Sequence, residues 1–396
     1  MKTFGIRGTF WSASLVLALC LWASGAPSVL YPVYAAEWHL TPVVTTSVFG
    51  IYPLALLAVL LFFGSISDTI GRRRAMLIGI GLITASAVVF AVAPNVGFLF
   101  LGRVLQGVGT GFALGAASAA LVENNISANP RFASSMTTIS TSLGLTLAPV
   151  VAGALAHFAP LPSVLSFGIL FLVAAVAFVL VLFTPGDERP GDRWRFRLPR
   201  PAPGIRRPFI LATLSVSVAY AVGAIYLALG ANMARDITGT TDFFVIGGLL
   251  AISSAAVGVT ALFLGRVHAH ASILVGAVLS LVGLGLMAAA SATGSLALLL
   301  AWCVVGGIAY SFAFTGGLAL VNRAAPAEHR GATLSLVYLF SYLVQAVVAI
   351  GAGGLATAVG LAEAVEIVAP VLGLLCLTAL VLLGLERAAG RRVVTT

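Results

Sequence analysis

The stretch GSISDTIGRRRAM, which runs from Gly64 to Met76, places one acid and three consecutive arginines in a short loop between two long apolar runs. Gly64 and Gly71 allow the backbone to leave and re-enter an apolar layer in a tight turn. Three arginines alone would explain a charge cluster that holds the loop at a membrane face. They do not explain why Asp68 lies between the two glycines, in the spacing G-x3-D-x2-G-R-R. The loop therefore indicates a functional element as well as a topological one.

The composition identifies the solvent of the chain as a lipid bilayer. Hydrophobic residues make up 60% of the 396 residues and charged residues only 8%, which a water-exposed surface would not tolerate. A membrane-spanning chain must satisfy its backbone hydrogen bonds internally, as helices or as a closed barrel. Barrel strands alternate apolar and polar residues, whereas these runs do not alternate and several exceed about 20 residues. The sequence therefore predicts an all-α integral membrane protein.

Apolar runs bounded by charge, proline or glycine predict twelve transmembrane helices in two pseudo-symmetric bundles. The spans lie near residues 10–35, 43–65, 75–93, 98–121, 132–156, 163–183, 208–233, 243–264, 272–291, 296–320, 332–357 and 364–385. A polar stretch rich in proline and arginine separates the sixth span from the seventh. We therefore predict an N-terminal six-helix bundle over 1–183, a cytoplasmic linker over 184–207 and a C-terminal six-helix bundle over 208–396.

The basic residues set the expected orientation. With the N-terminus inside, every lysine and arginine except Arg103 and Arg235 falls in a cytoplasmic segment, as the positive-inside rule requires. This predicts a multi-pass protein of the plasma (inner) membrane with both termini cytoplasmic. Topology, together with attraction to anionic lipid, then explains the net charge of +9 without nucleic acid.

The charged loop falls between the second and third predicted spans, where it resembles the loop 2–3 signature of the major facilitator superfamily of transporters. In that family the element latches the cytoplasmic side when the transporter faces outward. The resemblance places Asp68 opposite the start of span 11, near residues 330–334, where free N–H groups and the helix dipole favour an anion. The conformational latch that it implies consists of Gly64, Asp68, Gly71, Arg72, Arg73 and Glu123, with Glu123 a partner for Arg72 or Arg73.

A second candidate element is RVLQGVGTG, from Arg103 to Gly111, near the start of the fourth span. An arginine at the centre of a span costs about 2.5–3.5 kcal/mol on insertion scales. Arg103 could snorkel to the headgroups, or it could face inward, as Gln106 and the neighbouring glycines favour. The pattern R-x2-Q-G-x-G resembles the span 4 motif of the family's antiporters, where the arginine is tied to proton coupling. The resemblance implies coupling through Arg103 and Gln106, with Glu37 at the outer edge as the nearest acid.

The fifth span contains GLTLAPVVAG, from Gly144 to Gly153. Pro149 frees a backbone carbonyl and kinks the helix, while the glycines permit close helix packing. The stretch resembles the antiporter motif G-x3-G-P-x2-G-G at Gly144, Pro149 and Gly153. A kinked packing face of small residues is the alternative interpretation.

Aromatic and amide side chains predict a substrate cavity without charge. In span 11 three of them step by four and three residues and so mark one helical stripe. Such groups suit a neutral, amphipathic or cationic solute held by stacking and a few hydrogen bonds. The two candidates in span 1 could equally form an interfacial belt. The candidates are Tyr31, Tyr34, Tyr220, Tyr226, Asn232, Tyr338, Tyr342 and Gln345.

A weak internal repeat agrees with two equivalent halves. An offset of about 200 residues aligns Gly107 with Gly307 and Ala113 with Ala313, as in other transporters built from repeats. The same offset places Arg103 opposite Cys303, so the polar residues are concentrated in the first half.

These features predict a secondary transporter that exports small hydrophobic or amphipathic compounds in exchange for protons, by alternating access. The alternatives are a symporter or facilitator that imports a small metabolite, and a non-transporting membrane sensor or membrane enzyme. We expect no enzyme activity, cofactor or metal site, because the histidines lack metal-ligand spacing inside the spans and no nucleotide-binding loop occurs. The expected partners are a small-molecule substrate, protons and the lipid bilayer, with no nucleic acid and the chain as a monomer.

Overall fold

The computed structural model describes residues 3–63, 69–128, 131–186 and 204–394, which form thirteen α-helices and one 3₁₀ turn and contain no β-strand. Twelve of the helices are long and apolar enough to cross a membrane; the exception is α2. This confirms the predicted all-α fold with twelve spans. The helices are α1 (Ile6–Gly25), α2 (Tyr31–Trp38), α3 (Pro42–Phe63), α4 (Arg72–Ala91), α5 (Val96–Glu123), α6 (Arg131–Phe158), α7 (Pro162–Leu182), α8 (Arg206–Thr238), α9 (Phe243–Phe263), α10 (Ala269–Thr293), α11 (Leu296–Ala324), α12 (Ala327–Val359) and α13 (Leu361–Val394).

The first predicted span is wrong at its C-terminal end. The expected helix over 10–35 instead ends at Gly25, and residues 26–30 form turns before α2 begins at Tyr31. Pro27 lies within this break, and Pro32 is the second residue of α2. Proline has no N–H group and cannot continue a helix, but it suits the first turn of the next one. Tyr31 therefore lies on a separate short helix.

Successive long helices run in opposite directions, so the molecule has two ends. We call the end with the first residue of α1 and the turn before α4 the proximal end, and the end with α2 the distal end. Side-chain caps begin three helices at the distal end. Asn95 accepts from the N–H of Gly97 at 3.0 Å, and Asp242 accepts from that of Phe244 at 2.8 Å. Ser295 caps α11 in the same way.

Glycine packing follows the internal repeat. A Cβ on Gly107 would lie 2.4 Å from the carbonyl oxygen of Tyr52, and a Cβ on Gly307 would lie 2.4 Å from that of Ser253. Such contacts let two helix backbones approach closely in a bilayer. The residues that the sequence offset aligned thus make equivalent contacts, α5 with α3 and α11 with α9.

The first six long helices meet the last six mainly along two pairs, α6 with α9 and α3 with α12, and α3 makes a smaller contact with α8. In the second pair, the backbone N–H of Val43 donates to Oγ1 of Thr357 at 2.8 Å, and Thr46 fills the space beside Gly353. These contacts join the distal ends of the two sets of helices. A cavity lies between the sets, near the middle of the helices.

Candidate functional site

A central cavity of about 110 Å³ lies between the two sets of six long helices. The first set contributes only a few residues to its wall, and the second set contributes most of it. Among the described residues, no Asp, Glu, Lys, Arg or His lines it. The lining residues are Leu21, Ser24, Tyr52, Leu145, Tyr220, Val222, Gly223, Tyr226, Leu227, Ser253, Ser254, Val257, Trp302, Gly306, Tyr310, Tyr342 and Gln345.

Aromatic rings in the second set pack against one another around this cavity. The rings of Tyr220 and Tyr310 are nearly parallel, with centroids 6.2 Å apart, and Tyr342 meets Tyr220 edge-on at 4.8 Å. Tyr226 meets Trp302 edge-on at 5.2 Å. Offset and edge-on pairs of this kind add stability beyond the area they bury. The wall is therefore a fixed aromatic surface.

The polar groups of the wall differ in whether they already have hydrogen-bond partners within the protein. The hydroxyl of Tyr226 lies 2.8 Å from the carbonyl oxygen of Leu249 and 3.1 Å from that of Leu250, so its donor is used within the protein. In contrast, Oε1 of Gln345 is buried and has no hydrogen-bond partner among the described residues. Gln345 therefore carries an unfilled acceptor at the wall of the cavity.

The predicted cavity residues divide into two groups. Tyr220, Tyr226, Tyr342 and Gln345 line the cavity, and the other four predicted candidates are absent from its lining. Tyr31 is hydrogen-bonded to Arg103, and Tyr34 stacks on Trp38 with ring centroids 5.1 Å apart. The candidates outside the lining are Tyr31, Tyr34, Asn232 and Tyr338.

Sequence reasoning missed several lining residues in the first and second sets. Tyr52 precedes a proline inside its span, and Ser253 and Ser254 form a polar pair in the middle of an apolar one. Polar or amphipathic side chains at mid-span, away from the interfacial belt, were the available signal for these residues. Trp302 lies in the first two turns of its helix and could be read as an interfacial residue.

Arg103 is completely buried within the first set of helices, with an exposed fraction of 0%. Its Nε donates to the hydroxyl of Tyr31 at 2.9 Å, and Nη2 donates to the same oxygen. Nη1 donates to the carbonyl oxygen of Ser24 at 3.0 Å and to Oε1 of Gln106 at 3.1 Å. The guanidinium carbon also lies 5.4 Å from the ring centroid of Tyr52, a cation–π distance. Arg103 thus faces inward, and the snorkelling alternative does not apply.

The partners of Arg103 are all uncharged. No carboxylate pairs with it among the described residues, and Glu37 is exposed on α2 at the distal end. At the repeat position, the thiol of Cys303 lies 3.5 Å from the hydroxyl of Tyr226. A tyrosine hydroxyl therefore contacts the side chain at each of the two equivalent positions, 103 and 303. Only position 103, in the first half, carries a charge.

The described part of the charged loop includes three of the candidate latch residues. Nη2 of Arg72 lies 3.5 Å from Oε1 of Glu123, whereas Nη2 of Arg73 donates to the carbonyl oxygen of Leu182 at the end of α7. Gly71 has a φ of 93°, a left-handed conformation that favours glycine. Gly64 and Asp68 lie outside the described residues.

The glycine–proline motif of α6 contacts two other helices. A Cβ on Gly144 would lie 1.9 Å from the carbonyl oxygen of Ala18, and one on Gly153 would lie 2.4 Å from that of Phe243. The carbonyl oxygen of Pro149 lies where a Cβ of Gly247 would point, at 2.2 Å. The motif therefore packs α6 against α1 and, across the cavity-forming interface, against α9.

Two further side chains join α6 and α9 at the distal end. Nδ1 of His157 lies 2.9 Å from Oδ1 of Asp242, the residue that caps α9. Phe158 and Phe244 follow these residues and pack with ring centroids 5.8 Å apart. Among the described residues, no group of three His, Cys, Asp or Glu side chains could hold a metal ion.

Comparison with known proteins agrees with this architecture. The chain is 30% identical over 154 residues to "Multidrug resistance protein D" of Escherichia coli (strain K12), which covers 38% of each chain. It is 35% identical over 106 residues to "Uncharacterized MFS-type transporter EfpA" of Mycobacterium tuberculosis, covering 26% of this chain and 20% of that protein. The matches thus span well under half the length of either relative.

A solved structure of a peptide transporter, POT, in complex with sulfate has a TM-score of 0.78 to this chain. At 16% identity, with 99% of this chain and 97% of that chain covered, the likeness is one of fold. The family model of the Major Facilitator Superfamily matches residues 13–270, which is more than half of the sequence. With twelve candidate spans around a central cavity, the chain belongs to the Major Facilitator Superfamily of membrane transporters.

Proposed function

We propose that the protein exports small hydrophobic or amphipathic compounds in exchange for protons. The observation that carries the proposal is the uncharged, aromatic-walled cavity between the two sets of helices. Apolar and aromatic walls with a few polar groups are typical of sites for small molecules. A site at the interface of two repeats, near mid-membrane, is also the usual plan of alternating access. The relative named as a multidrug resistance protein favours export.

Proton coupling is assigned to the buried arginine network. Arginine stays protonated and cannot itself carry the proton, but its field favours the ionised form of an acid that approaches it. Arg103 is buried just behind the cavity wall, because Ser24 and Tyr52 contact both. In this proposal an acid such as Glu37, Asp242 or Glu363 meets that field in one conformation only, and Gln106 holds the guanidinium in place.

The remaining assignments complete the proposal. The protein acts as a monomeric transporter in the plasma membrane, with both termini in the cytoplasm, and catalyses no chemical reaction.

The charged loop from Gly64 to Arg73, with Glu123, latches the cytoplasmic side in one conformation. The pair of Arg72 and Glu123 supports this role, because an exposed pair of this kind contributes only about 0–1 kcal/mol and can therefore break and re-form.

Transport in reconstituted liposomes tests the proposal. We would impose a pH gradient and follow two dyes, neutral N-phenyl-1-naphthylamine and cationic ethidium. The wild-type protein should accumulate at least one of them, and a protonophore should abolish the accumulation. Arg103→Ala should abolish uphill movement, and Arg103→Lys, which keeps the charge but loses the planar fork, should retain a fraction. Downhill exchange should survive in both variants. Uphill movement by the alanine variant would contradict the coupling role.

Facilitated import of a small metabolite is the second candidate. It is favoured by the absence of any carboxylate from the cavity lining and from the described partners of Arg103, since proton coupling needs a group that titrates. Import predicts uptake of one narrow solute that a pH gradient does not accelerate.

A further inference from the structure

We infer that the central cavity selects flat aromatic molecules that are uncharged when bound and that donate one hydrogen bond to Oε1 of Gln345. This inference specifies the substrate class of the transporter proposed above and rests on that proposal. It depends on three features of the wall, which are the orientation of the rings, the unfilled acceptor and the sign of the nearby charge.

Two rings of the cavity lining, Tyr220 and Tyr310, share one orientation with Phe314, which is not a lining residue, whereas Tyr342 stands at 64° to Tyr220. Tyr220 lies within 10° of parallel to Tyr310 and within 11° of parallel to Phe314. Rings with a common orientation offer their faces to a flat molecule, whereas a bulky aliphatic molecule gains no stacking there. Tyr226 and Trp302, which also line the cavity, meet edge-on at 61°. The cavity therefore favours planar over globular ligands.

The unfilled acceptor specifies what else the ligand must carry. Leaving a buried acceptor without a partner is costly, and a ligand that donates to it recovers the loss. Oε1 of Gln345 is such an atom, while the Tyr226 hydroxyl already contacts two backbone carbonyl oxygens. Gln345 lies three residues from Tyr342, on the same face of α12. An aromatic N–H or O–H placed along these rings can reach it.

The charge around the cavity excludes a permanent cation. No acid in the part of the chain that the structure describes lines the cavity, whereas Ser24 and Tyr52 line it and contact the buried Arg103 behind them. Its guanidinium has no carboxylate partner among the described residues. In a medium of low dielectric constant, two like charges repel strongly. A cation in the cavity would meet this repulsion without any compensating acid, whereas a neutral molecule would not.

Three matched probes separate these features in the full-length protein in detergent. They are 3-nitroaniline (neutral, with a donor), N,N-dimethyl-3-nitroaniline (neutral, without one) and 3-nitrophenyltrimethylammonium (a cation). Nitroaromatic molecules quench tryptophan fluorescence, and Trp302 lines the cavity. The quenching lost in Trp302→Phe therefore reports occupancy of this site. We expect 3-nitroaniline to bind about tenfold more tightly than its dimethyl analogue, and the cation to bind most weakly.

Variants of Gln345 test the acceptor directly. Gln345→Leu should remove the preference for 3-nitroaniline over its dimethyl analogue, and Gln345→Met, which is closer in shape, should do the same. Gln345→Glu should raise the affinity for the cation by about tenfold or more. Thr378→Leu, a similar polar-to-apolar change on the exposed surface of α13, should leave all three affinities unchanged.

The outcomes distinguish this inference from the export proposal. If the cation or the dimethyl analogue binds as tightly as 3-nitroaniline, or if no probe quenches Trp302, the inference is wrong, whatever the dyes do in liposomes. If the probes bind in the expected order while no dye moves uphill, the selectivity stands and proton-driven export fails.

Discussion

Arg103 shows how a single buried cation can be held without an acid. Its donors meet a tyrosine hydroxyl, a backbone carbonyl and an amide oxygen, and its face meets aromatic rings. Hydrogen bonds to a charged group contribute about 1.5–3 kcal/mol each, more than neutral ones do. The network therefore ties α1, α2 and α5 together.

Tyr31→Phe tests this network, because it removes the oxygen that accepts from Nε and Nη2 and keeps the ring. We expect the free energy of unfolding to fall by about 1–3 kcal/mol, measured as a lower midpoint of thermal unfolding in detergent. Ser14→Ala is the control, because the buried Ser14 hydroxyl has no partner among the described residues. An unchanged midpoint in Tyr31→Phe would mean that water or other groups replace the hydroxyl.

At the scale of single residues, the sequence predicted the arginine and its neighbour Gln106, but not the partners that are distant in sequence. A charge within a span is expensive, so Arg103 could be identified from position alone. Tyr31 is 72 residues away in sequence, and no local pattern indicates that pairing. The same limit applies to the cavity, where the stripe of Tyr342 and Gln345 was readable but Tyr52 and Trp302 depend on how separate helices pack.

Helix packing between α6 and α9 depends on one glycine more than on its neighbour. A Cβ on Gly247 would lie 2.2 Å from the carbonyl oxygen of Pro149, whereas one on Gly248 would meet nothing within 4 Å. Gly247→Ala should therefore lower the unfolding midpoint and separate the two helices. Gly248→Ala should leave it unchanged or raise it, since alanine favours a helix over glycine by about 1 kcal/mol. Equal effects of the two substitutions would rule out close packing at Gly247.

The distal pair of His157 and Asp242 should help to hold these helices together. Asp242→Asn keeps a residue that caps helices well but loses the charge. With spin labels on cysteines at positions 161 and 245, both on exposed sites at the distal end, we expect this variant to populate longer distances. Asp242→Ala should also lose about 0.5–2 kcal/mol of stability with the cap. Asp236→Asn, at a nearby exposed acid, is the control, and a distance distribution unchanged in Asp242→Asn would exclude a role for the pair.

At the scale of elements, most spans followed directly from apolar runs bounded by charge or turn residues. The exception was the first, where the apolar pattern continues through the break at residues 26–30. Hydropathy does not detect a change of direction within an apolar segment. The local signals were Gly25 and the two prolines, and proline is common enough inside spans, as at positions 53 and 149, to be read as a kink.

At the scale of the whole molecule, the basic residues of the described segments lie at the proximal end, apart from Arg235 and the buried Arg103. Because cytoplasmic loops are enriched in such residues, a reporter active only in the cytoplasm should work when fused after Thr396. The same reporter inserted in the distal connection after Gly239 should be inactive. Activity in the reverse pattern would overturn the proposed orientation.

The buried arginine also gives the whole molecule an electrical property. One elementary charge lies within the first set of helices, and Cys303 carries none at the repeat position. Moving one charge across the entire membrane field is worth about 2.3 kcal/mol per 100 mV. If alternating access carries Arg103 through a quarter of that field, a potential of about 100 mV changes the free-energy difference between the two conformations by about 0.6 kcal/mol. The ratio of their populations then changes roughly threefold. The resting voltage of the cell then acts on this protein even when its cargo is neutral.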